Sequence, residues 1–302
     1  MKILIYIILF LIGNVCTAQQ NVDSFYSIWQ DSSLKVSVRA KALNNIFKQI
    51  SRNYPDSSFK IANLQVDFSL KNSLDTSLYT AYENLGFASK ILEKPKLSIE
   101  SYFQSLKIAN QLKDTMLLIA AESNIASTYT YFQQNQKALN YFNKVIAICE
   151  KKDFQKKLAV NYHNKGKTLM FLESYDSALV YLSKGLKIFR ETDHKIGVAI
   201  TEVNMAIINN TLENKKEALK LFFSSLKFFV DNNLKPQISS TYSYIVPIYT
   251  EMGKFKEAFE YAEIHFKLAN ELGIIGEQQS SAQNLYVLYF ENNNYSDALK
   301  YY

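Results

Sequence analysis

Cysteine, proline and glycine are scarce in this chain, at 2, 4 and 8 of 302 residues. So little proline and glycine argues against a fold built on β-turns and for continuous helix. An excess of one charge is also missing. The net charge of +6 is spread along the chain and does not mark a nucleic-acid binder. Long hydrophobic runs are absent except at the start, where Ile3 to Ile12 are uninterruptedly apolar. That run is short of the roughly 20 residues that span a bilayer. With Lys2 before it and Cys16-Thr17-Ala18 ahead of Gln19, residues 1–18 read as a secretory signal peptide. Export to the periplasm or cell envelope is the expectation. The processed chain then keeps one thiol, Cys149, so no intramolecular disulfide forms and stability must come from packing. Cys149 stands among Val145, Ile146 and Ile148, as a small buried hydrophobe would.

What the chain has in quantity is repetition. Asparagine recurs at Asn44, Asn84, Asn124, Asn164, Asn204 and Asn284, in steps of forty or a multiple of forty, with Tyr244 interrupting the series. Small residues keep the same step at Ser58, Ser98, Ala138, Ala178, Ala218, Ala258 and Ala298. Two ladders with one period mean one supersecondary unit stacked about seven times, over residues 37–302, after a lead-in at 19–36. Apolar residues follow helical spacing twice per unit. In the third unit Ile119, Ile125 and Tyr129 precede the polar stretch Gln133-Gln134-Asn135-Gln136, and Leu139, Phe142, Val145 and Ile146 follow it. Each unit is therefore a helical hairpin.

These hairpins resemble tetratricopeptide repeats. Tyr82-x2-Leu85-Gly86 followed by Ser98-x3-Tyr102 matches that family's signature, as do Gly166 with Ala178-x3-Leu182 and Ala206 with Ala218-x3-Phe222. The resemblance implies an all-α, right-handed superhelical solenoid of antiparallel hairpins. It places the small residues where the two helices of a hairpin meet. Three departures stand out. A period of forty exceeds the family's thirty-four, so each helix should be longer by nearly a turn. The proline that closes a repeat is replaced by Asn110, Glu150, Arg190, Val230 and Asn270, which should let the second helices run on. Val246 and Tyr286 replace the small first-helix residue, which suggests looser hairpins there.

By the family's geometry the asparagine ladder faces a concave groove, where an amide can both donate to and accept from an extended peptide backbone. The candidate groove residues are Asn84, Asn124, Asn164, Asn204, Tyr244, Asn284, Lys167 and Tyr131. The alternative role for the ladder is architectural, each rung bonding the neighbouring repeat. Unit six carries two anomalies on one turn, Tyr244 in place of the rung and Pro247 inside the same helix, where it removes a backbone donor and favours a kink. Lys107, Lys187, Lys227 and Lys267 form a basic stripe on the second helices, as a solvated face would. Gly166-Lys167-Thr168 imitates a phosphate-binding loop, but Asn161 stands where that motif needs glycine. His163, His194 and His265 lack metal-ligand or triad spacing. The reading is a non-enzymatic scaffold without metal or cofactor that binds a protein or peptide partner and no nucleic acid. The alternative is the sensory region of a longer signalling protein, a histidine kinase or transcriptional regulator, with a membrane tether beyond Tyr302.

Overall fold

The computed structural model describes residues 22–51 and 53–302. The proposed signal peptide lies outside them. Among the described residues all regular structure is helical: α1 (residues 22–30), α2 (Val36–Ile50), α3 (Pro55–Lys71), α4 (Asp75–Ile91), α5 (Pro95–Gln111), α6 (Thr115–Tyr131), α7 (Asn135–Lys152), α8 (Gln155–Phe171), α9 (Tyr175–Glu191), α10 (Lys195–Thr211), α11 (Lys215–Asp231), α12 (Lys235–Glu251), α13 (Phe255–Leu272), α14 (Ile275–Glu291) and α15 (Tyr295–Ala298). From α3 onward every helix starts twenty residues after the last, at 55, 75, 95 and on to 295. The backbone thus repeats at half the period of the side chains.

One turn design generates this cadence. At the end of α4 the Leu92 N–H donates to the Ala88 carbonyl, Glu93 N–H to Lys90 and Lys94 N–H to Ser89. This is a Schellman closure, with the middle residue left-handed at φ 52°. The same left-handed position recurs at residues 73, 93, 113 and every twentieth residue to 293, filled by glycine only at Gly253 and Gly273. Long apolar helices are therefore stopped by the hydrogen-bonded turn and not by proline. The second helices run on by one residue at most: α5, α9 and α11 have 17 residues, as do α4, α8 and α10, and α7 and α13 have 18. The six residues beyond the basic repeat are therefore shared almost equally by the two helices of a hairpin. The polar turns also lie earlier than the sequence pattern suggests, since Asn135, Pro95, Tyr175 and Lys215 already open helices.

The chain divides into two compact units, one ending at Ile148 and one spanning Cys149–Tyr302. In the first, Leu43, Ile46, Phe47, Ile61, Ala62, Val66, Ala81, Leu85 and Ala88 form a core on which Val22, Phe25, Tyr26 and Trp29 pack. The lead-in helix α1 thereby covers the apolar face of the first hairpin. Arg39 fastens it, donating from Nε to the Trp29 carbonyl at 2.7 Å. In the second unit one core gathers Ala206, Ala218, Phe222, Leu226, Ile245 and Ile248 and the next gathers Val246, Ala258, Ala262, Leu285 and Leu288.

Close approach within hairpins depends on the small residues. A Cβ on Gly166 would lie 2.7 Å from Leu182 Cγ and 3.1 Å from the Ala178 carbonyl oxygen, and one on Gly86 would lie 2.8 Å from the Tyr102 ring. Ala138, Ala178, Ala218 and Ala258 are wholly buried, and Ser98 uses its burial to donate from Oγ to the Gly86 carbonyl at 2.8 Å. Val246 is also fully buried, so the sixth hairpin accommodates its larger residue inside the core. Tyr286 instead stacks on Phe290 at 6.1 Å. Cys149 is fully buried, and burial raises its thiol pKa.

Candidate functional site

Within each unit the first helices of successive hairpins crowd together. α2 meets α4 in one unit, and in the other α8 meets α10, α10 meets α12 and α12 meets α14. The second helices α3 and α5 in the first unit, and α9, α11 and α13 in the other, make no comparable contact with one another. The side lined by first helices is therefore the inner side of the stack, and the asparagine ladder lies on it.

The rungs bond from repeat to repeat. Asn84 Nδ2 donates to Asn44 Oδ1 at 3.0 Å and to Gln65 Oε1 at 2.8 Å. Asn124 Nδ2 donates to Glu83, whose other oxygen accepts from Ser105 Oγ at 2.5 Å. In the second unit Asn164 is half-buried on α8, while Asn204, 8% exposed, meets His163 Nε2 at 3.3 Å. Asn284 Nδ2 reaches the Ser243 carbonyl at 3.4 Å. That carbonyl is the one Pro247 deprives of its helical N–H, so α12 stays a single helix and the next rung takes up the orphaned acceptor. Tyr244, in the rung position, stacks flat on buried Phe222 at 5.5 Å and 6° and leaves 39% of its surface exposed. These contacts give the ladder an architectural role that the spacing alone left open.

What remains accessible on the inner side stands three and seven residues beyond the rungs, or four before them, as a helical face requires. In the first unit Tyr131 is half exposed, and Lys90 Nζ sits 5.9 Å from its ring centre and 5.6 Å from that of Phe87. In the second, Val160, Phe171, Ile200 and Val287 are exposed large hydrophobics on this face, beside exposed Lys167 over the Phe171 ring at 5.7 Å. The face is thus apolar and aromatic with isolated lysines. The outer basic stripe, Lys107, Lys187, Lys227 and Lys267, is fully solvated.

Each histidine is occupied by packing. Thr201 spends its hydroxyl hydrogen on the Gly197 carbonyl at 2.7 Å, so its oxygen accepts from His163 Nδ1 at 2.9 Å. His163 Nε2 is left to accept from Asn204. Burial, and then the charge of Lys167, lower its pKa to about 4, which keeps the imidazole neutral. His194 Nδ1 accepts from the Gly197 N–H at 3.1 Å and caps α10. His265 is wholly buried, 3.5 Å from Glu277, which also accepts from Ser239 at 2.6 Å; burial lowers the pKa of His265.

Two functional contacts escaped the sequence reading. Glu150 and Arg190 stand where the family's closing proline is missing, and each reaches twelve residues ahead into the following hairpin. Tyr162 Oη donates to Glu150, and Arg190 pairs with buried Glu202 at 2.9 Å, where Ser224 Oγ adds a bond at 2.7 Å. The signal was the forty-residue step shared by Glu150 and Arg190 on one side and Tyr162 and Glu202 on the other.

Residues 159–192 match the family model of the tetratricopeptide repeat. No curated protein matches the chain by sequence. Among solved structures it is similar to the Rap conjugation gene regulator of plasmid pLS20 in complex with the Phr* peptide, at 14% identity and a TM-score of 0.63, over 94% of this chain and 82% of that one. It is similar to BtubC (BKLC) from P. vanneervenii at 16% identity and a TM-score of 0.63, over 73% of this chain and 93% of the other. Aspartyl phosphate phosphatase F from Bacillus subtilis is similar at 13% identity and a TM-score of 0.61, over 94% of this chain and 91% of that one. The hairpins are tetratricopeptide-like repeats.

Proposed function

We propose that the chain is an exported binding scaffold that holds an extended peptide or protein segment along the inner face of its first helices. The observation that carries this reading is the row of exposed apolar and aromatic side chains on a face where Asn84, Asn124, Asn204 and Asn284 already bond to the preceding repeat. Exposed hydrophobic surface of this kind marks interaction sites. The similar Rap regulator is a complex with a peptide, which supports the class of partner. With most rungs bonded to the preceding repeat, recognition rests on Lys167, Phe171, Tyr244 and Val287 in the second unit more than on the asparagines, and Tyr131 holds the corresponding place in the first. The reading is non-catalytic, since the three histidines serve packing and capping. Export rests on residues 1–18: mature protein from the native host should begin at Gln19, and an intact Met1 on cytoplasmic protein would refute that part.

The test is a display selection of random twelve-residue peptides against the full chain, followed by affinity measurements on variants. Phe171→Ala, at a side chain 52% exposed, and Lys167→Glu should each weaken selected peptides by about tenfold, equivalent to about 1.4 kcal/mol, with melting unchanged. Lys187→Glu and Lys227→Glu on the outer face should leave binding intact. Peptides lost through the outer variants and retained by the inner ones would overturn the assignment.

A further inference from the structure

A second recess, independent of the groove reading, lies where α2, α3 and the start of α4 meet. Its volume is about 230 Å³, and its walls include Lys41, Asn44, Gln65, Ser69, Thr76 and Ser77 against a floor of Leu43 and Ala81. The arrangement of donors is unusual. Asn84 gives both of its amide hydrogens to this corner, one to Asn44 Oδ1 and one to Gln65 Oε1. Each of those oxygens keeps one further lone pair, and the N–H groups of Asn44 and Gln65 are held on the other side of their amides. Gln65 is 5% exposed and Ser69 2% exposed, and among the described residues the one side-chain hydrogen bond at either is that of Gln65 Oε1 to Asn84.

α4 opens onto the same recess through Thr76 and Ser77. Leu74 precedes its first turn and supplies no capping side chain, so the N–H groups of that turn remain available. A helix start with free N–H groups favours negative charge, and the Asp75 carboxylate in the same turn is the one opposing charge there. Lys41 is the sole charged residue in the wall, and Arg39 holds a second positive charge 5.2 Å from the ring centre of Phe68, another wall residue. The geometry points to a binding site for a small oxyanion, with a carboxylate as the expected group. Asn84 acts as the positioning residue that, by holding both amide oxygens, fixes how the Asn44 and Gln65 amides are turned. The volume is below the roughly 300 Å³ at which sites for drug-sized ligands begin, so the occupant is a free small anion or the charged end of a larger chain.

The test uses the intact protein and three probes at constant ionic strength: N-acetylglycine, its uncharged amide N-acetylglycinamide, and inorganic phosphate. Saturable shifts of the side-chain amide signals of Asn44, Gln65 and Asn84 in nitrogen–proton spectra report occupancy. N-acetylglycine should bind at least about tenfold more tightly than its amide, a difference of about 1.4 kcal/mol. Tighter binding of N-acetylglycine than of phosphate identifies a carboxylate end; the reverse order identifies a phosphate group, and both support the oxyanion site. Lys41→Gln, at the exposed rim, and Ser69→Ala should each weaken the preferred anion by about fivefold or more. Equal affinity for the acid and the amide overturns the inference, as does unchanged affinity in Lys41→Gln, a surface variant that will fold even if Ser69→Ala does not.

Discussion

Two neighbours decide the protonation state of His163. Thr201 can only accept from Nδ1 and Asn204 donates toward Nε2, so the neutral ring fits and a second ring proton does not. Because the folded pKa is about 4 against an ordinary 6.5, the unfolded chain takes up the proton first. The stability contributed by neutral His163 is complete above pH 6.5 and is lost as pH falls from 6.5 toward 4. At pH 4.5 the loss is about 2–3 kcal/mol at 1.36 kcal/mol per unit of pKa shift. Urea unfolding at pH 7.5 and 4.5 checks it: His163→Gln should lose less stability over that interval than the natural chain, and an equal loss would disprove the account. At Ala178, wholly buried against the first helix of its hairpin, Ala178→Leu should destabilise by about 1–3 kcal/mol through overpacking. Lys187, whose side chain is 77% exposed beside Glu191, should tolerate alanine with a melting temperature close to that of the natural chain. Thermal unfolding of the two variants separates these expectations.

The left-handed turn residue is the controlling position of each element. Glu173 holds φ 56° with no glycine to ease it, a conformation that costs a residue with Cβ about 1 kcal/mol. Glu173→Gly should therefore raise stability by about 0.5–1 kcal/mol, and Gly253→Ala, at φ 68°, should lower it by a similar amount; chemical denaturation of both variants is the measurement. These turns also explain what was legible in the sequence. The small-residue ladder at 98, 138, 178 and 218 revealed the hairpins because only packing constrains those positions, and packing leaves a residue-type signature. The turn positions carry Ser73, Glu93, Lys113, Gln133 and Asp153, and five different residues in one backbone conformation leave no pattern to read. For the same reason helix ends were misplaced by a residue or two and the second helices were expected to run on. In the candidate site the rungs were visible as a ladder, but their partners Glu83, Gln65 and His163 share no residue type, so which way the amides point was not.

For the whole molecule, the backbone period of twenty and the side-chain period of forty make different demands on length. Removing residues 195–234 deletes one complete hairpin, α10 with α11, and returns every later first helix to the inner side. Removing 195–214 deletes a single helix and preserves the turn cadence, yet it sends every later inner face outward. The forty-residue deletion should keep helical circular dichroism per residue and one cooperative melt at a lower temperature. The twenty-residue deletion should lose cooperativity, and a sharp melt from it would show that the two helix classes are interchangeable.

The contacts that Glu150 and Arg190 make with the hairpins ahead of them imply that the repeats have an order as well as a number. Each junction is a lock with its own key: a tyrosine hydroxyl for Glu150 and a carboxylate for Arg190. Were the fourth and fifth hairpins to trade places, Glu202 would stand before Glu150, with two carboxylates in a partly buried cleft, and Arg190 would lose its anion. A chain of near-identical hairpins is open to pairing out of sequence, with itself or with a second copy during folding. Here the wrong partner is refused by charge, so the array carries a reading direction that its uniform backbone does not supply.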